Sequence, residues 1–421
     1  MILIKGGRVI DPKTGTDAIR DIVIEGERIT RIGTFDSSGE YETVLDATGK
    51  IVAPGLIDIH VHFRDPGLTY KEDIQSGAAA AARGGFTTVV CMANTKPIID
   101  NEETARLVLD TAAKAPIRVK TVAAVSKGFG GKELTDLRAL FDLGVAGFSD
   151  DGIPIMDAGF LRKAMRAVKE LNAPICLHEE DPSLIGKPGI NDGRVSASLG
   201  FEGAPNVAES AIVARDCMLA LDTGAKVHIQ HLSSAESVAA IRMAKAMGAS
   251  VTTEVTPQHV SLTEEAVLER GAIAKLNPPL RTEADRVALV EGLKDGTIDM
   301  IVTDHAPHSA EEKQRPITEA PSGLTGLETA LAVCITHLVN KGHLSLPALI
   351  EKMTLAPARL YGFDSGFLAE GCKADIVIFD DKEQWTVKDF ASKSSNSPFI
   401  GCTLTGKVNY TMCNGRVVYR A

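Results

Sequence analysis

Hydrophobic positions in the middle of the chain alternate between short apolar runs and longer stretches with helical spacing. Short apolar runs bounded by glycine, proline or polar residues predict buried strands. Eight runs are predicted to be strands: Leu56–His62, Phe86–Cys91, Ile117–Ala124, Val145–Ser149, Pro174–His178, Lys226–His231, Ser250–Glu254 and Asp299–Asp304. Alanine-rich segments between most of them predict helices: Ile74–Arg83, Glu103–Ala113, Phe160–Glu170, Ala208–Leu221 and Ser237–Met247.

Strands that alternate with helices are typical of an α/β fold with a parallel sheet. Eight such units predict a (β/α)8 TIM barrel over residues 54–363. A doubly wound sheet is the competing architecture. No Gly-x-Gly-x-x-Gly sequence follows the first strand, which weakens that alternative.

Both ends of the chain have a different pattern, with short apolar runs separated by glycine and proline. The predicted strands there are Ile2–Ile4, Arg8–Ile10, Ile22–Ile24, Ile29–Ile32, Asp375–Phe379, Val408–Cys413 and Arg416–Tyr419. Asn414-Gly415 between the last two strands is a strong hairpin signal. Neither end has enough strands for a stable core alone. We therefore expect residues 1–53 and 364–421 to form one composite β-sandwich domain.

Composition excludes several classes of partner. The formal net charge of −10 argues against nucleic acid. No apolar run approaches the roughly 18 residues that a membrane-spanning helix needs, and the N-terminus has no signal-peptide pattern. Seven cysteines are scattered without a Cys-x-x-Cys pair, which favours a reducing compartment. We expect a cytoplasmic protein that binds no membrane.

Residues that commonly bind metal ions stand where the predicted strands end. The set comprises His60 and His62, Asp150 and Asp151, His178 followed by Glu179 and Glu180, His231, and Asp304. Any one of them alone is more often a surface residue or a hydrogen-bonded core residue. A barrel, however, brings the carboxyl ends of all its strands to one mouth. Histidine and aspartate ligands without cysteine favour a catalytic divalent ion, most often Zn²⁺.

Further motifs span almost the whole chain in a fixed order. They are Pro-Gly-Leu-Ile-Asp-Ile-His-Val-His-Phe-Arg (54–64), Met-Ala-Asn-Thr-Lys-Pro (92–97), Gly-Phe-Ser-Asp-Asp-Gly (147–152), His-Glu-Glu (178–180), Gln-His-Leu-Ser (230–233), Asn-Pro-Pro-Leu-Arg (277–281), Thr-Asp-His-Ala-Pro-His (303–308) and Gly-Leu-Glu-Thr (326–329). This ordered set resembles the amidohydrolase superfamily, and within it the bacterial class I dihydroorotases. The resemblance implies reversible, zinc-dependent hydrolysis of (S)-dihydroorotate to N-carbamoyl-L-aspartate in pyrimidine (UMP) biosynthesis.

The resemblance also implies roles for individual residues. The metal ligands would be His60, His62, Asp151, His178, His231 and Asp304. Substrate contacts would come from His62, Arg64, Asn94, Asn277, His308, Ser322 and Gly323. Asp304 would be the catalytic acid–base group, and Arg64 would hold the substrate carboxylate. One of Glu179 and Glu180 is expected to bond a ligand histidine, and the other to be an ordinary loop charge.

Two Zn²⁺ ions per chain are expected, bridged by Asp151 and a hydroxide. The alternative is a single zinc held by His60, His62 and Asp304. Related hydantoinases and allantoinases place a carboxylated lysine on the fourth strand, whereas this chain has Ser149 near that position. Residues 309–315 are polar and are predicted to be either a lid or a plain solvated loop.

Three positions depart from the family pattern, and none is an expected metal ligand. They are Ala93 for proline, Gln258 for histidine and Ser322 for phenylalanine. The rival functions are a hydantoinase or allantoinase and a non-catalytic scaffold for aspartate carbamoyltransferase. A homodimer is expected, and association with the transferase is left open.

Overall fold

The computed structural model describes residues 1–36, 39, 41–187 and 189–421. Strands from both ends of the chain lie in one eight-stranded sheet. Its strands are β1 (Ile2–Asp11), β2 (Thr16–Glu25), β3 (Arg28–Gly33), β4 (Thr43–Asp46) and β5 (Ile51–Pro54) from the N-terminal part, with three from the C-terminal part. The antiparallel pairing of β5 with the C-terminal strand Ile376–Thr386 joins the two ends.

One expectation for this sheet is wrong. Gly6-Gly7 was expected to separate two strands, but β1 runs through both glycines as a single strand with a register shift between Ile4 and Gly7. Gly6 has a φ of 71°, and its N–H donates to Asp21 Oδ1 at 2.7 Å. The glycines therefore form an irregularity within the strand, because the positive φ costs glycine little.

The central part of the chain forms a ring of eight short parallel strands. They are β6 (Leu56–Val61), β7 (Phe86–Cys91), β8 (Arg118–Thr121), β9 (Phe148–Ser149), β10 (Pro174–Leu177), β11 (Lys226–Ile229), β12 (Val251–Val255) and β13 (Met300–Ile301). The strands pair in two sheets, β6 to β8 and β9 to β13. Parallel bridges Ala123–Phe148 and Val61–His305 connect the two sheets. The predicted (β/α)8 barrel is confirmed.

Helices lie between and after these strands. They are α1 (Ile74–Arg83), α2 (Glu102–Ala112), α3 (Leu137–Leu143), α4 (Ala158–Glu170), α5 (Arg194–Leu199), α6 (Asn206–Thr223), α7 (Ala235–Ala246), α8 (Pro257–Ser261), α9 (Glu265–Arg270), α10 (Glu283–Asp295), α11 (Ala310–Lys313), α12 (Ala330–Cys334), α13 (Leu346–Met353) and α14 (Leu355–Tyr361). The five predicted helices are present with small shifts at their ends. Asp73, for example, caps α1 by accepting from the backbone of Ser76.

The eight-stranded sheet formed by both ends of the chain is called the outer sheet below. Its last strands are β14 (Ile376–Thr386), β15 (Thr403–Cys413) and β16 (Arg416–Arg420). Asn414 and Gly415 connect β15 to β16 with φ angles of 48° and 73°, as the hairpin signal predicted. One face of the outer sheet packs on the barrel, since Val377, Phe379 and Cys413 belong to the large barrel core. The division into two domains, and a sandwich rather than one bent sheet, stay predictions.

Several barrel strands end earlier than predicted. The second histidine, His62, follows β6, and Asp304 lies three residues beyond β13. Arg64 lies beyond the end of β6 and has a φ of 60°. The functional side chains therefore project from the loops just above the barrel. Among the described residues, no helix is long and apolar enough to cross a membrane.

Candidate active site

A pocket of about 190 Å³ opens at the carboxyl ends of the barrel strands. It is lined by His62, Arg64, Asn94, Asp151, Gly152, His178, His231, Asn277, Asp304, Ala306, His308, Ser322 and Gly323. Every residue predicted for the site from sequence is in this set except His60. The His60 side chain is fully buried and lies 3.3 Å from Asp151. The structure therefore brings all the predicted site residues together.

Asp151 lies between the histidines on either side of the site. Its Oδ1 is 3.3 Å from His60 Nε2, and its Oδ2 is 3.5 Å from His62 Nε2. On the opposite side, Oδ1 is 3.8 Å from His178 Nδ1 and 3.9 Å from His231 Nε2. Asp151 is thus common to two groups of possible ligands, one with His60 and His62 and one with His178 and His231.

Asp304 closes the same cluster from the last barrel strand. Its Oδ1 lies 2.9 Å from His62 Nε2 and 3.6 Å from His60 Nε2. Burial raises the pKa of the Asp304 carboxyl, but the charges of His60 and His62 together lower it below its ordinary value. The carboxylate is therefore ionised at neutral pH and can accept a proton or bind a cation.

Two buried polar atoms at the centre of this cluster, His60 Nε2 and Asp151 Oδ1, have no hydrogen-bond partner among the described residues. An unpaired buried polar atom is costly, and a bound ion is one explanation for it. Histidine nitrogens and carboxylate oxygens suit a divalent cation of borderline hardness. The residues present therefore fit a metal centre.

The sequence did not identify the partners that hold His60. The fully buried Glu254, at the end of β12, places Oε1 2.6 Å from His60 Nδ1 and Oε2 2.9 Å from His228 Nε2. Burial would raise the pKa of Glu254, but the charges of His60 and His228 lower it. His228 Nδ1 is in turn 2.9 Å from Thr252 Oγ1. Because side chains alternate along a strand, His228 and Gln230 are expected to point to the same side of the sheet, as Glu254 does on the neighbouring strand. This shared orientation is the sequence signal from which these residues could have been found.

Of the two glutamates after His178, one has the expected role and the other does not. Glu180 Oε2 is 2.9 Å from His178 Nε2, which leaves His178 Nδ1 to face Asp151. Glu179 is not an ordinary loop charge, because it is only 2% exposed. Burial and the neighbouring carboxyl of Asp216 raise its pKa well above the usual range. Glu179 and Asp216 thus form a buried pair behind the site.

The backbone is strained at three site residues. Arg64, His231 and Asp304 have φ angles of 60°, 28° and 48°, a region that residues other than glycine rarely adopt. Such conformations persist only where surrounding contacts hold them. One such contact is Asp58, which accepts from the backbone N–H groups of His60 and Thr303, each at 3.0 Å. Burial raises the pKa of Asp58 to about 7.

Cationic and neutral polar groups lie on the outer side of the pocket. Arg64 Nε donates to the Pro307 carbonyl at 3.3 Å, and its Nη2 lies 3.4 Å from His308 Nε2. Burial and the charges of Arg64, Lys71 and Lys313 lower the pKa of His308 to about 2, so its imidazole is neutral. Asn94 is placed by His62, with 2.9 Å between Oδ1 and Nδ1.

The remaining predicted residues form one edge of the pocket. Ser322 Oγ donates to Asn277 Oδ1 at 2.9 Å, so the serine that departs from the family pattern still contacts a predicted substrate residue. Gly323 has a φ of 128°, and a Cβ there would lie 2.7 Å from Ala306 Cβ and 3.2 Å from His308 Nε2. The close approach requires glycine.

Two other sequence expectations concern neighbouring segments. Gln258 replaces a histidine of the family pattern and donates from Nε2 to the Thr303 carbonyl at 2.9 Å, outside the pocket lining. Residues 309–315 are not a plain solvated loop, since they contain helix α11 and the buried side chain of Lys313. Movement of this segment as a lid stays a prediction.

Comparison with known proteins gives a family match over most of the chain. The sequence model of the amidohydrolase family matches residues 51–418. A dihydroorotase of Clostridioides difficile (strain 630) is 59% identical over 421 residues, covering 100% of both chains. A dihydroorotase of Streptococcus thermophilus (strain CNRZ 1066) is 54% identical over 422 residues, again with complete coverage of both.

Solved structures of cyclic amide hydrolases have the same fold at lower identity. An L-hydantoinase (dihydropyrimidinase) from Arthrobacter aurescens superimposes with a TM-score of 0.88 at 26% identity, covering 100% of this chain and 96% of the other. A dihydropyrimidinase from Brevibacillus agri NCHU1002 gives a TM-score of 0.86 at 26% identity, with 99% and 95% covered. Both confirm the expected architecture.

Proposed function

The chain belongs to the amidohydrolase family, and we propose that it catalyses the reversible hydrolysis of (S)-dihydroorotate to N-carbamoyl-L-aspartate. The observation that carries this proposal is similarity to curated dihydroorotases at 54–59% identity over the full length. The sequence identity to the hydantoinase of known structure is only 26%. In this role the protein would serve pyrimidine (UMP) biosynthesis, in which the reaction runs in the direction of ring closure.

The proposed cofactor is Zn²⁺, two per chain. His60, His62, Asp151 and Asp304 would hold one ion, and Asp151, His178 and His231 the other. The two unpaired buried atoms of His60 and Asp151 support this assignment. When bound, such ions lower the pKa of water and polarise a carbonyl group.

The residues of the chain have distinct tasks in ring opening. A water oxygen forms a bond to the ring carbonyl carbon, and the ring C–N bond breaks. Asp304 accepts the proton of the attacking water at a carboxylate oxygen and returns it to the leaving nitrogen. Ring closure reverses these transfers, so the same carboxylate takes the proton from nitrogen.

The outer side of the pocket would bind and orient the substrate. Arg64 would hold the substrate carboxylate, because a guanidinium can donate to both carboxylate oxygens. Asn94, Asn277 and His308 would add hydrogen bonds, together with the backbone at 322 and 323. His62 would contact both metal and substrate.

A hydantoinase or allantoinase is the nearest rival. In those relatives a carboxylated lysine occupies the fourth strand, whereas Ser149 ends β9 here, with its hydroxyl 3.1 Å from the Asp151 N–H. Serine cannot form that carbamate. Arg64 also favours a ring that bears a carboxylate. The non-catalytic scaffold is disfavoured because the chain has all six expected ligand residues.

The remaining proposals concern the whole protein. Residues 1–53 with 364–421 are proposed as a sandwich domain on a barrel of residues 54–363. The protein is proposed to be a cytoplasmic homodimer, with association with aspartate carbamoyltransferase as a further possibility to test. Size-exclusion chromatography coupled to light scattering, with and without the transferase, measures both assemblies.

The function is tested by an ultraviolet absorbance assay with dihydroorotate, hydantoin and allantoin in parallel, before and after chelation. We expect dihydroorotate to be the best substrate and chelation to abolish its turnover. Faster opening of hydantoin or allantoin by the metal-loaded protein would overturn the proposal. Absence of all three activities in a metal-loaded, folded sample would favour the scaffold.

A further inference from the structure

Lys71 is a buried lysine at the back of the pocket that the proposed reaction does not use. It is 8% exposed and follows the loop that carries Arg64. Its Nζ lies 3.2 Å from His308 Nδ1 and 2.9 Å from Glu312 Oε1. Lys71 does not line the pocket, so its contact with the pocket goes through His308.

The two ring nitrogens of His308 face groups of opposite hydrogen-bonding character. The ammonium of Lys71 can only donate, so Nδ1 must accept. Nε2 lies 2.8 Å from the Ser322 carbonyl oxygen, which can only accept, whereas the donor Arg64 Nη2 is farther away, at 3.4 Å. The shorter contact with Ser322 therefore places the proton on Nε2. Both neighbours therefore select one neutral tautomer, with an N–H at the edge of the pocket.

Glu312 fixes the lysine in turn. Its Oε1 also accepts from the hydroxyl of Tyr70 at 3.0 Å, and its Oε2 accepts from the backbone N–H of Ser309 at 3.1 Å. Glu312 lies on α11, directly after the segment that carries His308. The salt bridge with Lys71 thus joins the loop after β6 to the loop after β13, the two loops that carry Arg64 and His308.

From this geometry we propose that Lys71, held by Glu312, is a positioning residue that fixes His308 as the Nε2–H tautomer for binding an anionic cyclic substrate. The inference rests on the proposed function for the identity of that substrate. Loss of Lys71 frees the imidazole to rotate or to change tautomer, so productive binding weakens.

The first test uses steady-state kinetics of the metal-loaded enzyme in the ring-opening direction. Lys71→Met removes the ammonium and keeps the aliphatic stem. We expect kcat/KM for dihydroorotate to fall roughly 10–100-fold, mostly through KM, as loss of a charged hydrogen bond predicts. Glu312→Gln keeps the shape of its side chain and should give a smaller change in the same direction.

Lys393→Met is the matched control. Lys393 Nζ binds Asp73 and donates to the Thr69 carbonyl at 2.9 Å, so it holds the same loop without contacting the pocket. This variant should leave kcat/KM unchanged. In the double variant with His308→Ala, Lys71→Met should add almost nothing, because both changes remove the same contact. Additive losses would overturn the proposal.

The second test is independent of substrate. Nitrogen-15 spectra of histidine-labelled, zinc-loaded protein report which ring nitrogen carries the proton, and His308→Gln identifies the signal. We expect Nε2–H in the wild type and a mixture of tautomers in Lys71→Met. An unchanged tautomer in that variant would overturn the proposal. If the wild type shows Nε2–H but does not open dihydroorotate, the proposed function is refuted. The proposal that Lys71 positions His308 would still stand.

Discussion

Among single side chains, Asp304 has the arrangement that proton transfer requires. Its carboxylate lies 2.9 Å from His62 Nε2 and lines the pocket. Asp304→Asn keeps the shape and removes the base, so we expect turnover to fall by about 10²-fold or more. The measurement is kcat for dihydroorotate at matched metal content, with circular dichroism to confirm folding. Near-normal turnover in the metal-loaded variant would remove Asp304 from the mechanism.

Arg64 is expected to recognise the carboxylate of the substrate rather than the ring. Its half-buried guanidinium lies 3.4 Å from His308 Nε2 and lines the same pocket as Asn94. Arg64→Met should therefore reduce kcat/KM for dihydroorotate far more than for dihydrouracil, which lacks the carboxylate. A loss of about 2 kcal/mol, or about 30-fold, is typical for a charged hydrogen bond. Equal losses on both substrates would mean that Arg64 is structural.

The sequence revealed the residues in the pocket better than the residues that support them. His60, His62 and Asp304 could be found because a barrel collects strand ends at one mouth. Glu254 and Lys71 were missed because their partners His60 and His308 are 194 and 237 positions away. Such contacts depend on strand register and loop path, which no local pattern encodes.

At the scale of helices and strands, the alternating pattern predicted the order of the elements but not where the strands end. β13 is only two residues long, Met300–Ile301, where six were expected. The chain leaves the ladder early because Thr303 donates to Asp58 and His62 N–H donates to the His305 carbonyl at 2.8 Å. Those contacts come from β6 and from His62 directly after it, so the early ending is a tertiary effect.

Glu254 on β12 supports a predicted metal ligand on β6, and this connection between strands is testable. A carboxylate that accepts from the second ring nitrogen fixes the orientation of a ligand histidine. Glu254→Gln should weaken zinc binding about 10–100-fold, as loss of such partners does. Zinc competition with a chromogenic chelator measures the affinity directly.

Gln230→Ala is a suitable comparison for Glu254→Gln, because Gln230 Nε2 also lies near His60 Nδ1, at 3.2 Å, but carries no charge. We expect this variant to bind zinc more tightly than Glu254→Gln does. Unchanged affinity in Glu254→Gln would show that the neighbouring strands alone hold His60 in place.

Considered as a whole, the molecule has one large core that extends beyond the barrel. Val377 and Phe379 of β14 belong to it, and Arg118 of β8 forms an ion pair with Asp375 beside the outer sheet. The patterns at the two ends predicted strands that combine into one β-sandwich domain, because neither end has enough strands for a core alone. They did not reveal that this sheet would share the barrel core.

The proposed metal centre joins five strands, so its removal should affect the whole fold. Ligands that bind only the native state stabilise it in proportion to RT ln(1 + [L]/Kd). Chelation should therefore lower the melting temperature as well as abolish activity. Differential scanning fluorimetry with and without added zinc measures this shift, and an unchanged melting temperature after complete metal removal would contradict it.

The expected number of metal ions per chain follows from the position of Asp151, because this residue belongs to both groups of possible metal ligands. We expect about two zinc ions per chain in active protein, since paired sites with a common ligand suit hydrolysis. Asp151→Ala should lose the second ion together with activity, whereas Asp150→Ala, outside those groups, should keep both ions. Activity should not depend on bicarbonate, because Ser149 cannot be carboxylated. One tightly bound ion in fully active enzyme, or rescue by bicarbonate, would show that Asp151 does not join two metals.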